Sequence, residues 1–286
     1  MNAAIKFAIR VSVLVIIGGF LSATLARMSP GFGVGDEELD SRLSAASVQS
    51  FRNARAQNAD WGTFYFRYWS RILHGDLGTS ISLQRPVRSL VVERFPETLI
   101  SVRVGLALGW SLGLGLAIAS VISKSALVDA GASLVAGFVL CVPVAALALF
   151  CVMARTPGRI VIGIVVFPKV FRFARNLFLR NLHLPHVLMA RAKGVRPWRV
   201  FVWHISPVAV PQLLALAGIT VSTAFTAAIP VESLCDLPGI GQLAWKAALS
   251  RDLELLVLLA MIVSFITLIA NCCAELLGGT RQAGQA

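Results

Sequence analysis

Residues 168–211 read PKVFRFARNLFLRNLHLPHVLMARAKGVRPWRVFVWHISPVAVP, and they set the topology of everything around them. The stretch lies between hydrophobic segments, yet up to His204 it carries Lys169, Arg172, Arg175, Arg180, Arg191, Lys193, Arg196 and Arg199 and no acidic residue. A cation at the centre of a membrane span costs about 2.5–3.5 kcal/mol. The run of cations therefore predicts a loop held in water on the cytoplasmic side. Within it, His186 to Lys193 reads as a short helix. Pro185 suits a first-turn position, Gly194 supplies a left-handed stop, and Pro197 prevents resumption. Leu184, Val187 and Leu188 share a face at i, i+3 and i+4, while Ala190 and Ala192 keep the helix slim. Such a helix on a basic loop suits the grip of another protein. The alternative is a positive-inside loop with an incidental helix.

The composition puts that loop in a membrane. Of the 286 residues 57% are hydrophobic and only 14% charged, against about 25% charged in soluble domains. The formal charge of +12 gathers beside apolar runs, which fits membrane topology and anionic headgroups better than nucleic acid. The five cysteines show no CxxC spacing, and four lie in or beside apolar runs as small hydrophobes. They imply no disulfide and no metal site.

Taken in order, the sequence predicts an all-α membrane protein with six spans: 5–28, 98–122, 130–153, 160–173, 208–230 and 253–277. The first has Lys6 and Arg10 ahead of its apolar core; ATLA at 23–26 offers a signal-peptide alternative, which Arg10 inside the segment opposes. Residues 29–96 mix charges and contain no spanning window, so they form a long extracytoplasmic loop. Its aromatic stretch WGTFYFRYWSRIL suits an interfacial helix. Three parts follow: residues 1–28 as first helix, 29–96 as outer loop, and 97–286 as a five-helix core that includes the cytoplasmic loop 174–206. In the second span, Gly105, Gly109, Gly113 and Gly115 allow close helix packing, and Pro143 introduces a kink into the third. Between the last two spans, Pro238, Gly239 and Gly241 form a dip in the chain. Glu232 and Asp236 there either line a path across the membrane or anchor that dip.

Three blocks carry a resemblance. MARAKG at 189–194 followed by HISPVAVP resembles the coupling loop of ABC importer permeases, in the form found in dipeptide and oligopeptide permease subunits. GDLGTS at 75–80, followed by Pro86, Val87, Arg94, Pro96, Thr98 and Leu99, is similar to that family's approach to its second span. VESLCDLPGIGQLAWKAALSRD at 231–252 is similar to its last outer segment. The departures are Leu188 at the acidic position of the wider pattern, Pro185-His186 in the lead-in, Cys235 at a common Phe position, and a sixth span ending AELLGGTRQ.

The resemblance implies a permease subunit of an ATP-driven importer for peptides or a related small solute, with both termini cytoplasmic, in a prokaryotic inner membrane. It assigns ATPase coupling to Val187, Leu188, Met189, Ala190, Arg191, Ala192, Lys193 and Gly194, with Ala190 on the docking surface. It makes Glu232, Asp236, Pro238, Gly239 and Gly241 candidates for the translocation path or an outer gate. The implied partners are a second homologous permease, two cytosolic ATPase subunits or domains, an extracytoplasmic solute-binding protein and membrane lipid, with no nucleic acid. The chain contains no G-x-x-x-x-G-K-[ST] phosphate loop, so ATP-Mg is expected on the partner subunits and no cofactor or catalytic residue in this chain. Two rival readings weaken on the same residues. An ion-coupled transporter wants Asp, Glu or His at mid-membrane, and every predicted span lacks them there. A membrane enzyme would lean on His74, His183, His186 and His204, but His183 and His186 have no carboxylate or cysteine nearby to complete a metal set.

Overall fold

The computed structural model describes residues 77–80, 82–123, 125–250 and 252–283, together with the isolated positions 17, 24 and 70. The first span and the interfacial helix expected at 61–73 lie outside the described residues. Among those described, the regular elements are helices, with one isolated antiparallel bridge between Thr79 and Pro86. The helices are α1 (Val87–Ser123), α2 (Ala126–Cys141), α3 (Val144–Met153), α4 (Arg159–Asn181), α5 (Pro185–Ala192), α6 (Pro197–Leu234), α7 (Ile240–Leu249) and α8 (Leu253–Ala283). Three are long and apolar enough to cross a membrane: α1, α6 and the Glu254–Ala274 part of α8. The α2–α3 pair, bent by 101°, makes a fourth if counted as one span.

The chain divides into two compact units, Met1–Pro96 with Pro238–Phe265, and Glu97–Leu237 with Ile266–Ala286. In the second unit α4 is the central helix, burying Val161, Ile162, Val166, Phe167, Val170, Phe171, Ala174, Leu177 and Phe178 among others. The glycine stripe of α1 lies directly on it. A Cβ added to Gly105 would sit 2.5 Å from Ile162, one on Gly109 2.8 Å from Val166, and one on Gly113 2.7 Å from Val170. Those backbones approach because the stripe has no side chains to hold them apart. Gly115, also in the expected set, faces open space. The first unit has its own core, in which Val87 and Leu90 pack with Ile240, Leu243, Ala247, Leu255, Leu258 and Leu259.

Several boundaries differ from those read in the sequence. Helix α1 begins at Val87, inside the stretch assigned to the outer loop, and Pro96 is interior to it. The expected span 130–153 is two helices. Pro143, which cannot donate a backbone hydrogen bond, stands as N-cap of α3 after an extended Val142. Helix α4 runs on to Asn181, through residues expected in the loop. Its cations are met by neighbours: Arg175 makes a two-pronged ion pair with Asp129, which also accepts from Ser120, and Arg180 donates to Gln212 at 3.1 Å. Pro197, expected to keep a helix from resuming, instead opens α6, which passes through a π-turn at Phe201–Ile205. At the other end of the chain, α8 continues past 277, the predicted end of the sixth span, to Ala283.

Candidate functional site

Helix α5 is stopped by its own sequence. Gly194 takes φ +74, the left-handed region where a Cβ is unfavourable. Its N–H donates to the Arg191 carbonyl at 2.9 Å and the Val195 N–H to the Ala190 carbonyl at 3.2 Å. These two bonds form a Schellman motif, satisfying carbonyls that a helix end would otherwise strand. Pro185 occupies the first turn as expected.

The faces of α5 are divided differently from the sequence reading. Val187 is fully buried and Ala190 6% exposed, whereas Leu188 is 50% and Met189 61% exposed. Arg191, Ala192, Lys193 and Gly194 also lie at the surface. Val187 and Ala190 enter one core cluster with Ala117 and Val121 of α1, Ala132 of α2, Phe171 and Phe178 of α4, and Phe201 of α6. Ala190 is thus a packing residue of this chain, not part of an exposed docking surface. Burying Val187 contributes roughly 1.5–3 kcal/mol. Phe178 and Phe201 meet edge-on at 5.0 Å, and His186 Nε2–H donates to the His204 carbonyl at 3.3 Å. The core of α5 is therefore shared with α4, the π-turn and the end of α1. A small helix bolted to the bundle on one side and bare on the other can transmit a push.

At the opposite ends of these helices, Glu232 is completely buried, and Thr98 Oγ1 donates to its Oε2 at 3.1 Å. Its own carbonyl accepts from the Leu237 N–H at 2.9 Å. Close by in the chain, Asp236 is exposed with φ +51 and starts the turn out of α6. Beside this turn Gly158 leaves room for Cys235, whose Sγ would lie 2.7 Å from a Cβ placed there. Arg159 donates to Glu97 at 2.6 Å. The Glu232 side chain is thus held against Thr98 of α1.

Pro238, Gly239 and Gly241 belong to the first unit. Pro238 is exposed, Gly239 is the buried N-cap of α7, and Gly241 lies buried within α7 rather than in a turn. In that same unit Asp252, 2% exposed, accepts from Ser80 Oγ at 2.6 Å, from Ser82 Oγ at 3.0 Å and from the Ser82 N–H at 3.1 Å. Ser80 ends the GDLGTS block and Asp252 ends the RD block. Two of the three sequence blocks thus meet through one carboxylate across 172 residues.

Lys169, counted with the cations of the basic stretch, falls within the predicted span 160–173. It lies near the middle of α4, with Nζ donating to Thr223 of α6 at 2.9 Å. It faces an open cavity of about 700 Å³ walled by the α2–α3 break, α4 and α6. The apolar period of VFPKVFRFARNLF is the signal that carries this helix beyond 173 toward Asn181.

Among known proteins, the family described as binding-protein-dependent transport system inner membrane component matches residues 111–279. A Brucella suis biovar 1 protein that carries a peptide permease name is 26% identical over 74% of this chain and 76% of its own length. The oligopeptide transport system permease protein AppB of Bacillus subtilis is 22% identical over 93% of both chains. OppB of Escherichia coli K12, of the same description, is 25% identical over 70% of this chain and 72% of its own.

Proposed function

The chain belongs to the family of binding-protein-dependent transport system inner membrane components, and from that membership we propose that it is a permease subunit of an ATP-driven peptide importer. The two-faced helix α5 carries the mechanism: Val187 and Ala190 join it to the bundle, while Leu188, Met189, Arg191, Ala192 and Lys193 remain for a cytosolic ATPase. Closure of an ATPase dimer on bound ATP-Mg would push α5. Because α4, the π-turn of α6 and the end of α1 share its core, the push tilts these helices between inward- and outward-facing forms. Coupling requires that the ATPase hold α5 differently in its two states, since equal grip shifts nothing.

The remaining parts of this reading are six spans with both termini in the cytoplasm, residues 1–28 as the first span and the loop 29–96 outside, in a prokaryotic inner membrane. A second homologous permease, two ATPase subunits or domains and an extracytoplasmic solute-binding protein complete the system. The peptide solute is supported by the names of the relatives, and the lever by the division of α5 into a buried and a bare face. The decisive test replaces Met189 with Cys and cross-links native membranes with a short bifunctional thiol reagent. The expected product joins this chain to an ATPase, and peptide uptake in sealed vesicles requires ATP. Uptake driven by a proton or sodium gradient without ATP would overturn the assignment.

A further inference from the structure

Lys169 stands alone in its chemistry on the wall of the α2–α3/α4/α6 cavity. The neighbouring walls are apolar, with Val142 and Val165 typical of them, or hydroxylated, with Ser222, Thr223 and Thr226 along one side of α6. Each of these hydroxyl protons is already committed to its own helix. Ser222 Oγ donates to the Gly218 carbonyl at 3.2 Å, Thr223 Oγ1 to Ile219 at 3.0 Å, and Thr226 Oγ1 to Ser222 at 2.9 Å. Ser222 Oγ already accepts from Asn271 at 3.1 Å and Thr223 Oγ1 from Lys169, so each oxygen keeps one further lone pair as an acceptor, and the ammonium is the strong donor of the wall. Lys169 has three protons to donate, and the hydrogen bond to Thr223 takes one. The cavity lining contains no acidic residue, and among the described residues no carboxylate pairs with Lys169.

In the six-span reading α4 is the fourth span, and an ionisable group at mid-span beside a cavity is characteristic of a solute pathway. A mostly apolar space of this size with few convergent polar groups has the form of a small-molecule site. We propose that Lys169 receives the carboxylate of the transported solute, the free C-terminal carboxylate of a peptide, while the hydroxyl oxygens of α6 accept its amide protons and the valine walls cover its side chains. This rests on the reading of the chain as a peptide permease subunit. A small inorganic anion would satisfy the charge and leave the apolar walls unused.

The test uses the complete transporter with its binding protein in proteoliposomes, supplied with trialanine as free acid or as C-terminal amide. The wild-type complex is expected to import the acid in preference to the amide. Both Lys169→Gln and Lys169→Met should reduce that preference about tenfold, the worth of one charge-assisted hydrogen bond, and Lys169→Arg should retain most of it. A wild-type complex that imports acid and amide equally overturns the proposal with no variant needed. So does an acid preference unchanged in Lys169→Gln or Lys169→Met, which would assign the selection to the binding protein. Absence of any ATP-dependent trialanine uptake by the wild type instead removes the peptide-permease reading itself, and this proposal with it.

Discussion

Leu188 and Ala190, two residues apart on α5, should respond to charge in opposite ways. Ala190→Glu puts a lone carboxylate into the apolar core that α5 shares with α1, α4 and α6, where an uncompensated buried charge costs about 3–5 kcal/mol. The expected result is a lower melting temperature and lower membrane yield of the complex. Leu188→Asp meets solvent, so melting should move little, within about 0.5 kcal/mol, while solute-stimulated ATP hydrolysis is lost. If both variants melt like the parent, the division of the helix is wrong. Glu232 permits a second contrast. Glu232→Ala removes the acceptor of Thr98 in a fully buried place and should destabilise by about 1–3 kcal/mol, with Glu232→Gln milder. A change in solute preference without a stability change would return Glu232 to the path. Local features such as Pro185 and Gly194 were legible because turn chemistry is written in adjacent residues. The burial of Ala190 was not, since it depends on Ala117, Val121 and Phe178 arriving from other helices.

Among the helices, the glycines of α1 separate pattern from packing. Gly109→Ala would force a methyl within 2.8 Å of Val166 and 3.0 Å of the Gly163 carbonyl, whereas Gly115→Ala meets nothing within 4 Å. The first should separate α1 from α4 and lower the melting temperature. The second should be neutral or stabilising by up to about 1 kcal/mol, as Ala is the better helix former. Circular-dichroism melts of the two purified variants decide it. The sequence spacing announced a close-packed helix but could not say which glycines touch. The length of α4 was hidden for a related reason. Composition counts Arg175 and Arg180 as loop cations, while the fold supplies Asp129 and Gln212 from elsewhere in the chain. The break at Pro143 was half legible: the residue marked the place, and its neighbours set the 101° turn.

For the whole molecule, the proposed topology is tested at the two ends of α4. The end of α1, part of α2, the end of α4 and α5 meet in one cluster, and the turn at Arg155 lies at the opposite end of α4, which the six-span proposal puts outside. In a background lacking the five native cysteines, a Cys at Met189 should react with an impermeant maleimide only in inside-out vesicles, and one at Arg155 only in right-side-out cells. Labelling of both from the same side would break the topology. The sequence revealed the family because its motifs sit at caps, turns and the Ser80–Asp252 tie, where few residue types serve. It left the solute path unread because a cavity is a property of surfaces brought together.

The Schellman-capped helix with one buried and one bare face also bears on descent. Substitutions at Val187 and Ala190 must answer to α1, α4 and α6, whereas those at Leu188, Met189, Arg191 and Lys193 answer to whatever motor the lineage happens to employ. A permease that had changed motors would show its turnover confined to those bare positions. The inward pair would stay as a fossil of the older bundle.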